Sequence, residues 1–297
     1  MGLPERYVLD SEVKHMEKYI GGYRIVRQLG EGATAKVFLA EHVDTRAICA
    51  VKLGTDAVLI HRESQILRAL THRAFPTWMG EATAGEEHFL FMEYIEGESL
   101  AERLKAGAPM ETEAFDIMRE VLGALAYLHG RQKPILYLDL KPEHLILPPG
   151  GGIRIVDLGA ARYLDDRGIR AGNRGYAAPE QLLAEGEVGT ACDIYGAGKL
   201  FAYLMTGKNP CEPPYDTLEL CERNRRLPEQ VKRLLRRSLA QTPEGRYSDA
   251  AEFLRELERA GKRHGGGKLR LLPYFSRKTG KYIYEKCIWK SDYRELP

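Results

Sequence analysis

The hydrophobic pattern of this chain changes period once, and that change constrains its fold more than any other feature. From Tyr23 to Met92 apolar residues mostly alternate, in YRIVRQL, KVFLAEHV, AICAVKL and HFLFMEYI, the spacing of half-buried strands. One helical stretch, HRESQILRAL, interrupts them and puts Ile66, Leu67 and Leu70 on a common face. After Gly97 the apolar residues recur at three- and four-residue intervals. The segments EAFDIMREVLGALAYLHG, CDIYGAGKLFAYLMTG, EQVKRLLRRSLAQ and SDAAEFLRELERAG read as amphipathic helices. Strands first and helices second predict an α+β protein with a β-rich lobe, an α-rich lobe, a join near Glu93–Gly97 and a cleft between the two.

The 297 residues are enough to bury a large core. A net charge of +2 points to no polyanionic partner, so nucleic acid is not expected. Cys49, Cys192, Cys211, Cys221 and Cys287 are scattered without a C-x-x-C pair, which argues against a disulfide framework or a structural zinc site. The first residues, MGLPERYVLDSEVKHMEKY, are charged throughout and hold no apolar core of signal-peptide length. The best apolar stretch, IYGAGKLFAYLM from Ile194, is too short to span a bilayer and carries Lys199. The expectation is a soluble, cytoplasmic protein with no membrane partner.

Residues 1–22 read as an extension, and the glycines Gly265 to Gly267 mark a linker after the last helix. That leaves a main domain over 23–262, divided into lobes 23–94 and 95–262, and an appendage over 263–297. The appendage segment KLRLLPYFSRKTGKYIYEKCIWKSDYRELP resembles a hairpin with TGK at its turn. Lys and Arg are interleaved there with Tyr, Phe and Trp. The plain reading is a solvated appendage packed on the core; the alternative is a surface for RNA or another partner.

LGEGATAKV, Leu29 to Val37, fits the dinucleotide fingerprint G-x-G-x-x-A. That fingerprint needs a helix directly after the turn, whereas KVFLAEHV alternates like a strand. A strand, a glycine turn and a returning strand make either a plain hairpin or a flap whose N–H groups lie over phosphates. Lys52 follows in AICAVK, with Glu63 on the next helix. A lysine there could neutralise phosphate charge with a carboxylate holding it; the competing reading is a surface ion pair of little worth.

Taken in order, LGEGATAKV, AVK, a helix Glu, DLKPEH, VDLG and GYAAPE resemble the eukaryotic-type protein kinases, in particular the bacterial serine/threonine class. The resemblance covers roughly Tyr23 to Leu257. It implies a small antiparallel β-rich lobe, a larger helical lobe, and ATP and Mg²⁺ between them, with Mn²⁺ as the other candidate metal. It places Leu29, Gly30, Gly32 and Val37 over ATP, Ala50 above the adenine, and the backbone of Glu93 to Ile95 along its edge. Lys52, paired with Glu63, grips the phosphates. Asp139 falls at the catalytic base, Lys141 at the residue that steadies the transferred phosphate, and Asp157 at the principal metal ligand. Lysine two places after the base suggests a Ser or Thr hydroxyl on a protein substrate. Glu180 and Arg246 match a structural ion pair, and Asp193 a buried acid that supports the catalytic loop.

The departures from the family are informative. Ala35 replaces the third loop glycine, and Leu158 stands where Phe is frequent. Eleven positions separate Lys52 from Glu63, so the connection and the following helix are expected to be short. Tyr137 and Leu138 replace the His and Arg that commonly precede the base. In relatives that Arg docks a phosphorylated residue of the segment after Asp157. Here DLGAARYLDDRGIRAGNRGYAAPE, Asp157 to Glu180, contains neither Ser nor Thr. Receptor and phosphosite are missing together, which suggests control without Ser/Thr phosphorylation of this segment. Asn173 replaces a Thr that usually approaches the base, and its amide could take over that bond.

His144 stands at the position of a metal-binding asparagine. Imidazole is a poor ligand for Mg²⁺, and three readings stay open: a structural hydrogen bond with metal held by Asp157 alone, ligation through nitrogen, or loss of catalysis. The reading of the whole is an ATP-dependent serine/threonine protein kinase. Its rival is a pseudokinase that binds nucleotide or a partner without turnover. A small-molecule phosphotransferase of related fold is disfavoured by GYAAPE and the segment before it.

Overall fold

In the computed structural model the alternating segments form strands β1 (Tyr19–Ile20), β2 (Tyr23–Glu31), β3 (Ala35–His42), β4 (Ile48–Gly54), β5 (Trp78–Ala84) and β6 (Glu87–Glu93). The structure describes residues 19–166, 172–183, 186–213, 215–262, 274–276 and 281–283. The strands make one antiparallel sheet in the order β1-β2-β3-β4-β6-β5. Paired residues share a face of a sheet. Val37 pairs with Lys52 and Lys52 with Leu90, while Leu39 pairs with Ala50 and Ala50 with Met92, so these six lie on one face. The other face brings Ala40, Cys49, Val51, Phe89 and Phe91 together with Ile20 in a buried cluster. Each of its large side chains contributes about 1.5–3 kcal/mol by leaving water.

Helix α1 spans Ala57–Arg68, four residues earlier than the sequence pattern places it. Asp56 explains the start, because its Oδ1 accepts from Val58 N at 2.9 Å and Leu59 N at 3.1 Å. The expected shortness falls on the connection, Thr55 and Asp56, and not on the helix, which has 12 residues. Ile66 and Leu67 are buried on it, as their common face requires.

The described residues divide into two compact units. Those of Met1–His61 and Trp78–Tyr94 make one, and those of Arg62–Thr77 and Ile95–Pro297 the other. The second contains β7 (Glu98–Ser99), α2 (Leu100–Lys105), α3 (Glu111–His129), β8 (Ile135–Leu136), β9 (Leu145–Leu147), β10 (Arg154–Ile155), β11 (Arg162–Tyr163), α4 (Pro179–Leu182), α5 (Thr190–Thr206), α6 (Thr217–Arg223), α7 (Glu229–Ser238) and α8 (Ala250–Lys262). The helix α3 buries Phe115, Met118, Leu122 and Leu125, three or four apart, and packs on α5 and α8. Phe115 meets Phe201 of α5 edge to face at 5.4 Å. Against α7, Gly198 of α5 admits a close neighbour: a Cβ there would lie 2.5 Å from Ser238 Oγ.

In the appendage, β12 (Tyr274–Ser276) pairs antiparallel with β13 (Lys281–Ile283), which fits the hairpin reading. The TGK turn itself and residues 1–18 lie mostly or wholly outside the described residues. Among the described residues no helix is long and apolar enough to cross a membrane.

Candidate active site

Four short strands place the acidic residues. The strands β9 and β10 pair with each other, and β8 pairs with β11 around them in chain order. The two connections left over are Tyr137–His144, between β8 and β9, and Val156–Ala161, between β10 and β11. Both therefore emerge from the same nested pairs, and they carry Asp139 and Asp157.

The first connection is fixed from below by Asp193 on α5. Its fully buried carboxylate accepts from Tyr137 N at 2.8 Å, from Leu138 N at 2.7 Å, and lies 2.9 Å from His129 Nε2. Leu138 is also held through its carbonyl, which accepts from Gln181 Nε2 at 3.1 Å. Gln181 itself is fixed because its Oε1 accepts from Ala178 N at 3.0 Å. Between these tethers Leu138 takes φ 65°, and Asp157 takes φ 66°. Such left-handed backbone costs a non-glycine residue about 1–3 kcal/mol and persists only where surroundings impose it. The bonds at Leu138 are that imposition.

Lys141 Nζ donates to Asp139 Oδ2 at 2.8 Å, so a cation and the expected base are in direct contact. His144 links the two acids. Its Nδ1 lies 3.1 Å from the Asp139 carbonyl oxygen and 3.6 Å from Asp139 Oδ2, and its Nε2 lies 3.5 Å from Asp157 Oδ2. The Tyr137 hydroxyl donates to the Val156 carbonyl at 2.9 Å and lies 3.3 Å from His144 Nδ1. Burial, followed by the carboxylates of Asp157, Asp139, Asp193 and Glu63, pushes the Tyr137 phenol far above its usual range, so it stays protonated. Asp157 Oδ1 accepts from Gly159 N at 3.0 Å, and its side chain is 40% exposed. Glu63 Oε1 accepts from Leu158 N at 3.2 Å, which ties α1 to the residue after Asp157.

The structure brings Asp139, Lys141, His144 and Asp157 together. An exposed carboxylate beside an imidazole nitrogen is a donor pair that fits a divalent ion. No group of three or more His, Cys, Asp or Glu able to hold a metal occurs among the described residues. Further ligands would be phosphate oxygens and water, the usual case for nucleotide-bound Mg²⁺.

In the strand unit, Leu29 and Gly30 lie just before the last residue of β2, Gly32 begins the turn, and Val37, Ala50 and Lys52 share a sheet face. The strand β3 and not a helix follows the turn, which excludes the dinucleotide fingerprint and leaves a hairpin or a flap. Lys52 is 7% exposed and Glu63 is 3% exposed, which overturns the surface ion pair. Glu93 closes β6, and Ile95 is the first residue past the change of unit.

Glu180 and Arg246 form the expected ion pair, bidentate at 2.5 and 2.9 Å, with the Arg246 side chain 0% exposed. Three backbone carbonyls, those of Ala240, Ala191 and Gln241, take further guanidinium protons. Burial alone raises the Glu180 carboxyl, but hydrogen bonds from Arg246, from its own backbone and from Cys192 outweigh that and hold it below the usual range. Asn173 spends its side-chain oxygen on Gly175 N at 2.9 Å and the Cys211 thiol at 3.3 Å, a local turn in place of the bond to Asp139 that the sequence suggested. The reading of the sequence missed Gln181 and the role of Tyr137. Gln181 carries no local signal beyond following Glu180, while Tyr137 signalled itself as a departure.

A family model described as the protein kinase domain matches residues 23–257. Among curated proteins, the serine/threonine-protein kinase PrkC of Bacillus subtilis is 29% identical over 269 residues, covering 81% of this chain and 40% of PrkC. The serine/threonine-protein kinase Pkn1 of Myxococcus xanthus is 28% identical, covering 82% of this chain and 39% of its own length. The CBL-interacting protein kinase 24 of Oryza sativa is 31% identical over 66% of this chain and 46% of its own. The chain thus spans less than half the length of each of these three relatives.

Proposed function

Since the chain belongs to the protein kinase domain family, we propose that it transfers the ATP γ-phosphoryl group to a Ser or Thr hydroxyl of a protein substrate. The observation that carries this reading is the cluster of Asp139, Lys141 and Asp157 on a backbone held in strained geometry. Phosphoryl transfer needs positioning and charge more than covalent help. Asp139 takes the proton of the attacking hydroxyl, and Lys141 offsets charge on the phosphoryl group. Lys52 grips the nucleotide phosphates, while Leu29, Gly30, Gly32, Val37, Ala50 and the Glu93 to Ile95 backbone hold the rest of ATP. Asp157 and His144 would hold the divalent ion, which supplies charge neutralisation at the phosphates. The kinase domain in this reading is 23–262, with 1–22 an extension and 263–297 an appendage.

Control of this enzyme does not pass through phosphoserine or phosphothreonine between Asp157 and Glu180. Leu138 supports this, because its buried, apolar side chain offers no anion site, and the segment has no Ser or Thr. The second reading, nucleotide binding without turnover, is favoured by His144 alone, in place of the oxygen ligand. One assay separates the two: labelled ATP, Mg²⁺ or Mn²⁺ and a generic protein substrate. Wild type transfers label, with no change after phosphatase treatment. Asp139→Asn loses about 10²–10⁴-fold, and Lys52→Met loses both turnover and ATP binding. Equal label transfer by wild type and Asp139→Asn would remove the assignment.

A further inference from the structure

We propose that Tyr137 is a positioning residue that fixes the tautomer of His144, turning Nε2 toward Asp157 and making a nitrogen–oxygen donor pair that takes Mn²⁺ in preference to Mg²⁺. This rests on the phosphotransferase reading of the same site. The Tyr137 hydroxyl proton goes to the Val156 carbonyl at 2.9 Å. Its oxygen therefore meets His144 Nδ1, 3.3 Å away, as an acceptor. The Asp139 carbonyl oxygen at 3.1 Å and the Asp139 carboxylate at 3.6 Å are acceptors too. Nδ1 faces these three acceptors and Nε2 faces one, Asp157 Oδ2 at 3.5 Å, so in a neutral imidazole the proton sits on Nδ1 and Nε2 carries the lone pair.

A histidine that donates one ring N–H to a backbone carbonyl while its second nitrogen faces a carboxylate is the arrangement found in metal ligation, where the outer partner fixes ring orientation. Here the outer partners are Asp139 and Tyr137. Mg²⁺ demands oxygen and dehydrates reluctantly; first-row divalent ions accept imidazole more readily. Two of the departures from the family pattern, at positions 137 and 144, are thus in contact and act as one device.

The test uses the full chain with Mn²⁺ and a non-hydrolysable ATP analogue. Pulsed electron paramagnetic resonance should show a directly bound nitrogen in wild type and none in His144→Asn. Tyr137→Phe should weaken Mn²⁺ binding about tenfold or more and lower the ratio of Mn²⁺- to Mg²⁺-supported turnover. In the His144→Asn background it should change neither, because Tyr137 then has no imidazole to act on. Nitrogen NMR of wild-type His144 should report Nδ1–H, and this reading stands even if Tyr137→Phe folds poorly. Mn²⁺ bound with nucleotide but without nitrogen coupling, an Nε2–H tautomer, or an undiminished effect of Tyr137→Phe in the His144→Asn background each overturns the proposal alone. Failure of nucleotide and Mn²⁺ to bind at all overturns the phosphotransferase reading with it.

Discussion

The loop Tyr137–His144 and the glycine turn between β2 and β3 are both short connections, and both carry residues proposed above for phosphate chemistry, but they are held in opposite ways. The loop is tied by the Asp193 carboxylate, the Gln181 amide and the Tyr137 hydroxyl, and most of its residues are buried. The turn is exposed from Glu31 to Thr34 and is closed by the bond from Gly32 N to Ala35 O at 2.8 Å. A base and its metal acid must be placed before substrate arrives, because misplacement is costly to rate. A flap over a nucleotide must yield to admit it. In the proposed reading the tethered loop holds the residues that react, and the exposed turn those that cover.

The largest effect that would test this contrast comes from Asp193→Ala. Two buried backbone N–H groups lose their acceptor, at about 1–3 kcal/mol each, so denaturant unfolding should show a loss of about 3–5 kcal/mol together with loss of phosphoryl transfer. A change under about 1 kcal/mol would show that the loop is held by something else. Next comes Glu180→Gln, which leaves Arg246 buried with its charge unpaired and should cost about 3 kcal/mol at neutral pH. The pair anchors α4, and α4 carries Gln181 to the Leu138 carbonyl.

The same variant has a pH signature. The folded Glu180 carboxyl lies below its ordinary value of 4.5, so the pair's contribution is complete above that value and is lost as pH falls through the lower folded value. Unfolding curves from pH 7 downward should converge for wild type and Glu180→Gln in that acid range. A gap that stayed constant would mean the pair is not the source. The smallest effect belongs to the turn. An added Cβ at Gly30 meets nothing within 4 Å, so Gly30→Ala should shift stability by no more than about 0.5 kcal/mol. If the turn covers ATP, KM for the nucleotide rises while the midpoint of unfolding stays in place; a large unfolding shift would show the turn to be as rigid as the loop.

Much of the site was legible in the sequence through the order of its motifs. LGEGATAKV before a strand, DLKPEH before an apolar run and VDLG after another fall where the strand pairs put them. Even the start of α1 left a trace, because Asp56 before Ala57 and Val58 is an N-cap signal that the apolar spacing alone overlooks. The partners of Asn173 and Gln181 left none. A side-chain amide can serve a local turn or reach 43 positions away to Leu138, and only the packing of α4 chooses between them.

The change from period two to period 3.6 determined by itself that strands would come first and helices after, since each period buries a face only in its own secondary structure. The series of charged motifs determined which residues would gather. What the tertiary structure decided is how they are held. Asp193 lies 54 positions from Asp139, yet it reaches the two backbone amides just before it, and Tyr137, His144 and the Val156 carbonyl meet only because β8 through β11 nest. Hydrogen bonds depend on distance and direction in space, and separation along the chain carries neither.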